Sequence, residues 1–237
     1  NMIEIITQKR IDTTIYYEQI RHLDWPVFLD SCYQADREKS PYARYDIISA
    51  EPFVKIYSDS SLTSVCEKSQ TYNSEEDGLK IVERYINQYS KPHSEIPFIG
   101  GAIGYCSYEM KDATKSNLRL PKMSMGIYDW ALIVDHFLQE AYLVTTNTDK
   151  NTSKNWSTYI DLLSVIKVNK ENNFIIKGDI AENLSIDEYR DKFNSVMSYL
   201  EEGDCYQINL SKQYKALVDG DSWQFYKTFR NLNKSRY

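Results

Sequence analysis

In the stretch GDCYQINLSKQ, residues 203–213, Gln207, Asn209 and Ser211 alternate with Tyr206, Ile208 and Leu210. A period of two is that of a strand, which would put the three polar side chains on one face and the apolar three on the other. Carboxamide and hydroxyl groups both donate and accept hydrogen bonds, so such a row can hold the carboxylate and hydroxyl groups of a ligand. The same row on a solvent-facing strand needs no ligand. The residues alone leave both readings open.

Other chemistry-bearing residues are dispersed. FIGGAIGYCSYE (98–109) places Gly100, Gly101 and Gly104 at a spacing that is not the G-x-G-x-x-G of a nucleotide loop, and no helix follows. Glycines inside a strand mark a bulge or the close approach of another backbone. His22, His93 and His136 have no partner in a zinc-protease pattern, and His136 reads as a structural residue of a hairpin strand. Cys32, Cys66, Cys106 and Cys205 form no C-x-x-C pair, which argues against a zinc site or a disulfide framework. No catalytic residue and no metal ligand is assigned.

The elements that must position these residues are legible from periodicity. Residues 25–33 read as a strand, and 44–59 followed by 61–73 read as a meander turning near Ser58–Ser61. EEDGLKIVERYINQYS sets Leu79, Val82, Tyr85 and Ile86 on one helical stripe, predicted to cover the meander. MGIYDWALIVDHFLQEAYLVTTNTD reads as one long hairpin turning near Gln139, and KNWSTYIDLLSVIKVN as an amphipathic helix. Residues 1–167 are thus expected to form an antiparallel α+β domain, 168–184 a connector with one apolar patch able to pair as an edge strand, and 185–237 the start of a second domain. There Ser185 and Glu188 fit a capping box, and Tyr189, Phe193, Val196, Met197 and Leu200 form a stripe. Gly203 stands where a left-handed cap belongs, and Ser222 caps a last helix. Two helices and one strand cannot bury a core, so this second domain is expected to be incomplete.

The 237 residues carry a formal net charge of −6 and lack a run of Lys or Arg, so nucleic acid is not an expected partner. No stretch reaches the roughly 18 apolar residues of a membrane span, and the first twenty residues lack a secretion-signal pattern. The expected location is the cytoplasm. Tyrosine is frequent at 20 residues, which suits sheets with half-hydrated faces.

Taken together, FIGGAIGYCSYE, MGIYDWALIVDH and GDCYQINLSKQ resemble component I of aminodeoxychorismate synthase, in the chorismate-using family that includes anthranilate synthase component I. The resemblance runs from HLDWPVFLDS and SPYARYDIISAEP to the last helix. GDCYQINLS marks the superfamily, while GIYDWALIVDH with RYDIISAEP favours the aminodeoxychorismate branch. It implies the amination of chorismate to 4-amino-4-deoxychorismate on the route to 4-aminobenzoate and folate. It implies Mg²⁺ as cofactor of the full-length enzyme, none bound to this chain, and ammonia from a glutamine amidotransferase subunit. The family's catalytic lysine and metal-binding glutamates are expected beyond Tyr237, leaving this chain inactive alone.

The resemblance also implies a tryptophan pocket. The matching positions are Leu29 and Ser31 in FLDSCY, Tyr42, Ala43, Arg44 and Tyr45 in SPYARYD, and Asn233, Ser235 and Tyr237 in NKSRY. Lys234 and Arg236 replace prolines of the family segment, which removes its stiffening. The strand expected at 205–211 would then be the first of the chorismate domain, its polar row facing an interdomain layer. An anthranilate synthase fragment, an amino-acid-binding module and an amidotransferase-docking module are the alternatives.

Overall fold

The computed structural model describes residues 2–6, 12–32, 41–59, 62–67, 70–89, 95–111, 120–165, 167 and 173–233. The described residues form two compact units, one within 2–167 and the other within 173–232.

The first unit opens with strand β1 (Met2–Ile6) and helix α1 (Thr13–Ile20). This helix was not legible in the sequence, because its Thr-Thr-Ile start is rich in β-branched residues of low helix propensity. Two tertiary features override that. The Asp12 carboxylate caps the helix by accepting from the Thr14 amide at 3.0 Å, and Tyr16 and Ile20 are buried beneath it.

Then come β2 (Val27–Leu29), β3 (Tyr45–Ser49), β4 (Val54–Asp59), β5 (Leu62–Glu67) and β6 (Gln70–Ser74). Helix α2 (Gly78–Tyr89) follows, and then β7 (Gly101–Cys106), β8 (Met123–Tyr128), β9 (Trp130–Asp135), β10 (Glu140–Thr145) and helix α3 (Lys150–Ser164). They make two antiparallel five-stranded sheets, ordered β1-β10-β9-β3-β2 and β6-β5-β4-β8-β7. The expected α+β class and the turn at Gln139, which adopts φ 57°, are as read.

Three expectations for this unit need correction. The stretches 44–59 and 61–73 are not one meander: β3 pairs with β2 and β9 in the first sheet and β4 with β5 and β8 in the second, the chain changing sheet at Glu51 (φ 55°) and Pro52. The run 125–149 is not one hairpin: β8 belongs to the second sheet and β9 to the first, with Asp129 alone between them. The buried stripe of α2 is Gly78, Ile81, Val82 and Tyr85, whereas Leu79 and Ile86 are exposed. Gly78 lets the start of α2 press against β4 and β8, where a Cβ would meet Ser58 Oγ and Met123 Cε at 2.4 Å, and with Gly78 on the inner face Leu79 is turned outward.

Three apolar layers result. Helices α1 and α3 cover one face of the first sheet, where Trp130 stacks on Tyr159 at 4.4 Å over Ile48, Leu132 and Leu143. Helix α2 covers the second sheet over Val54, Ile56, Val65 and Ile127. On the other face of the first sheet, Ile47, Ala131, Ile133 and Val144 meet Ile103 and Tyr128 of the second. Glycines permit the close approach there and at the sheet edge. A Cβ on Gly104 would lie 2.0 Å from the Ser124 carbonyl oxygen, and one on Gly100 (φ 152°) 3.1 Å from that of Tyr128.

The second unit holds β11 (Phe174–Glu182), α4 (Ile186–Glu202), β12 (Tyr214–Gly220) and α5 (Ser222–Leu232), with β11 and β12 paired antiparallel. The capping box of Ser185 and Glu188 is present and Gly203 is left-handed at φ 81°. None of the described residues 173–233 is buried, so the Phe193 and Met197 of the α4 stripe stand exposed. Asp221, not Ser222, caps α5: its carboxylate accepts from the Trp223 amide at 3.0 Å and its carbonyl from Gln224.

The strand expected at 205–211 does not form. Residues 205–213 are irregular, pairing starts at Gln213 against Asn183, and Gln207, Asn209 and Ser211 are exposed. Alternation marks a strand only where a neighbour supplies its hydrogen bonds, and within this unit β12 takes the place beside β11.

Candidate functional site

Strands β2 and β3 carry Leu29 and Tyr45 to the layer shared with Ile47 and Ile103. Just past β2, the Ser31 amide and hydroxyl both donate to Asp46 Oδ1, at 2.8 and 2.6 Å. The other Asp46 oxygen lies 2.8 Å from His136 Nε2. All three side chains are buried. Burial alone would raise the Asp46 carboxyl, but the hydrogen bond and charge of His136, with the Ser31 hydroxyl, outweigh it and hold it below the ordinary aspartate range. His136 stands one residue past β9, at the first position of the turn, and its amide donates to the Arg44 carbonyl at 2.9 Å.

One residue before it, Asp135 shapes that turn. Its Oδ1 accepts from the Phe137 and Leu138 amides at 2.9 and 3.1 Å, while Oδ2 accepts from Arg44 Nε and Nη2 at 2.9 and 2.6 Å. Burial works against the ionised carboxyl, yet Arg44 and the two amides keep it below the usual range. The Arg44 guanidinium lies over the Tyr45 ring at 4.7 Å and near that of Phe137 at 5.7 Å. Beside them, burial and then Glu140 push the Tyr142 hydroxyl up to about 12.

The sequence-derived positions therefore divide. Ser31, Arg44 and Tyr45 join a polar cluster through Asp46 and Asp135, and Leu29 borders it. Ala43 is buried, Tyr42 is 74% exposed, and Asn233 is exposed. Ser235 and Tyr237 lie outside the described residues. Sequence reasoning missed Asp46 and Asp135, although an acid inside an apolar strand run is itself a signal, since a buried carboxylate must have partners.

Asp129 was missed for the same reason. At the crossing between the sheets, its Oδ2 accepts from the Thr148 and Asp149 amides at 3.1 and 2.7 Å and its Oδ1 from the Thr152 hydroxyl at 2.6 Å. Burial nevertheless leaves this carboxyl above its ordinary value. Among the described residues no three His, Cys, Asp or Glu side chains stand close enough to hold one metal ion. The Mg²⁺ implied by the resemblance has no ligand set among them. No helix among the described residues is long and apolar enough to cross a membrane.

Comparison with known proteins matches residues 27–237 to the family described as chorismate binding enzyme. The chain belongs to this family. It is 32% identical over 232 residues to aminodeoxychorismate synthase component 1 of Escherichia coli, covering 94% of this chain and 49% of that protein. With the Klebsiella aerogenes protein of the same name it shares 31%, over 93% of this chain and 48% of that one. Identity falls to 22% with the chloroplastic anthranilate synthase alpha subunit 2 of Arabidopsis thaliana, over 90% of this chain and 40% of that one. The chain thus spans about half the length of these relatives. The crystal structure of anthranilate synthase component I from Streptococcus pneumoniae TIGR4 superposes with a TM-score of 0.67 at 21% identity, over 86% of this chain and 49% of that one. That likeness bears out the fold.

Proposed function

We propose that this chain is the amino-terminal part of an aminodeoxychorismate synthase component 1, which aminates chorismate to 4-amino-4-deoxychorismate for 4-aminobenzoate and folate synthesis in the cytoplasm. The observation that carries the reading is the 32% identity with the Escherichia coli protein of that name across 94% of the chain. The uncored second unit supports it, because a two-stranded sheet with two helices buries too little to stand as a domain. The full-length enzyme would use Mg²⁺ and take ammonia from a glutamine amidotransferase subunit, with the catalytic groups supplied outside this chain.

The test is to incubate the gene's full-length product with chorismate, Mg²⁺ and ammonium, separate the products and assay pyruvate. Aminodeoxychorismate without pyruvate supports the reading. Anthranilate with pyruvate would overturn it in favour of the tryptophan branch.

The cluster around Ser31 favours a second role as an amino-acid pocket taking tryptophan. Because the Ser31 hydroxyl donates to an ionised carboxylate, its oxygen is left as an acceptor, the polarity that suits a ligand ammonium group. Leu29 and Tyr45 offer apolar and aromatic surface beside it. Calorimetry of the full-length product with tryptophan checks this, and no heat at millimolar ligand would refute it.

A further inference from the structure

Asp135 and Arg44 form a built arrangement at the start of the β9–β10 turn, and the pocket reading above gives neither a task in holding a ligand. One carboxylate oxygen, Asp135 Oδ1, is fixed by the Phe137 and Leu138 amides at 2.9 and 3.1 Å. The carboxylate plane is thereby set before any ligand arrives. Its Oδ2 becomes a fixed point 2.9 Å from Arg44 Nε and 2.6 Å from Arg44 Nη2, and the Asp135 side chain is only 2% exposed to competing water.

Arg44 is held but not used up. A guanidinium carries its N–H donors in a rigid planar fork, and Asp135 accepts one from Nε and one from Nη2. Nη1 has no partner among the described residues, and the Arg44 side chain is 34% exposed. The Tyr45 ring, 4.7 Å from the guanidinium carbon, further fixes the fork. A long cationic side chain ordered in advance meets a ligand without losing its rotamer freedom at that moment.

The free edge suits one ligand group. Planar N–H donors on a cation match a carboxylate through charge-assisted hydrogen bonds. That polarity is opposite to the Ser31 hydroxyl oxygen, which is left as an acceptor. Tyr45, against the fork, shares an apolar layer with Leu29. Because the Asp135 charge offsets part of the Arg44 charge, what Asp135 adds for an anion is direction rather than potential.

We propose that Asp135 is a positioning residue of this pocket, holding the Arg44 fork so that Nη1 meets the carboxylate of the bound amino acid; the assignment rests on the pocket reading above. Tryptophan and tryptamine, which share indole and ammonium and differ in the carboxylate, are titrated into the full-length product by calorimetry. Tryptophan is expected to bind at least about tenfold more tightly, the low end for hydrogen bonds to a charged group. Asp135→Glu keeps the charge but moves the carboxylate by one methylene, and should cut that preference at least about fivefold, while Arg44→Met abolishes it. In the Arg44→Met background, Asp135→Glu should change the preference by no more than about twofold, because Asp135 acts through Arg44. Damage to the fold weakens both ligands alike, so the ratio separates positioning from stability. If neither ligand gives heat with the parent protein, the pocket reading fails and the assignment with it. If tryptophan binds but tryptamine binds at least as tightly, or the preference survives Asp135→Glu, only the assignment is overturned. It is equally overturned if Asp135→Glu shifts the ratio as much without Arg44 as with it.

Discussion

The imidazole of His136 lies 2.8 Å from the carboxylate of Asp46, and both side chains are buried. The pair ties the β9–β10 turn to β3, and the Ser31 hydroxyl ties the end of β2 to the same carboxylate. Truncating one partner leaves the other uncompensated in the interior. His136→Ala should therefore cost about 3–5 kcal/mol of unfolding free energy, and Ser31→Ala about 1.5–3 kcal/mol for one charge-assisted hydrogen bond. Urea titration of the full-length product measures both. Equal, small losses would mean that the cluster contributes little.

The same cluster sets a pH dependence. Asp46 and Asp135 are both held below their ordinary values in the folded state, so the unfolded chain binds more protons as pH falls. The stability they contribute is fully present above the unfolded-state value of about 3.9 and is lost as pH drops through the lower folded values. Asp46→Asn should flatten that acid limb while lowering stability at neutral pH. Thermal melts between pH 2 and pH 6 decide it: an unchanged slope would remove Asp46 as a cause.

Gly104 of β7 lies opposite Met125 of the neighbouring strand β8. An added Cβ would meet the Ser124 carbonyl oxygen at 2.0 Å and the Met125 Cα at 2.7 Å, both backbone atoms that cannot swing aside. Gly104→Ala should cost at least about 1–3 kcal/mol, the range for overpacking a filled site. Gly203→Ala, where nothing lies within 4 Å, loses only the left-handed preference of the cap at about 1 kcal/mol. A melting-temperature series on both variants checks the order, and Gly203→Ala proving the more harmful would reverse the argument.

Where the signal was local, the sequence was readable. The capping box at Ser185, the left-handed Gly203, the turn at Gln139 and the close-packed glycines of β7 each follow from a few neighbouring residues. Where the outcome depended on a distant partner, it was not. Residues 205–211 alternate like a strand yet find no ladder beside them, and α1 folds against its own weak propensity because Tyr16 and Ile20 are buried. The change of sheet at Asp129 is invisible to a period of two, since β9 is buried at all six positions and β8 at its last three, which leaves no alternation to break. For the candidate site, the resemblance reached Ser31, Arg44 and Tyr45, but the carboxylates that organise them lie 15 and 91 residues away along the chain.

Asp129 gives the opposite pH sign from Asp46, and that contrast is testable. Burial raises its carboxyl despite donors from Thr148, Asp149 and Thr152, so the folded state binds a proton that the unfolded chain releases. Its contribution is fully present below the unfolded-state value of about 3.9 and is lost as pH rises through the higher folded value. Asn is uncharged at every pH and keeps one acceptor oxygen for the Thr148 and Asp149 amides. Asp129→Asn should therefore gain on the parent protein as pH rises from about 4 to 7, ending within about 1 kcal/mol of it or above it. Asp129→Ala, which leaves all three donors without an acceptor, should be the more damaging by about 1–3 kcal/mol at any pH. Urea midpoints of the three proteins at several pH values measure this. If Asp129→Asn instead loses ground as pH rises, the three hydrogen bonds outweigh burial, and the crossing between the sheets is stabilised by an ionised carboxylate.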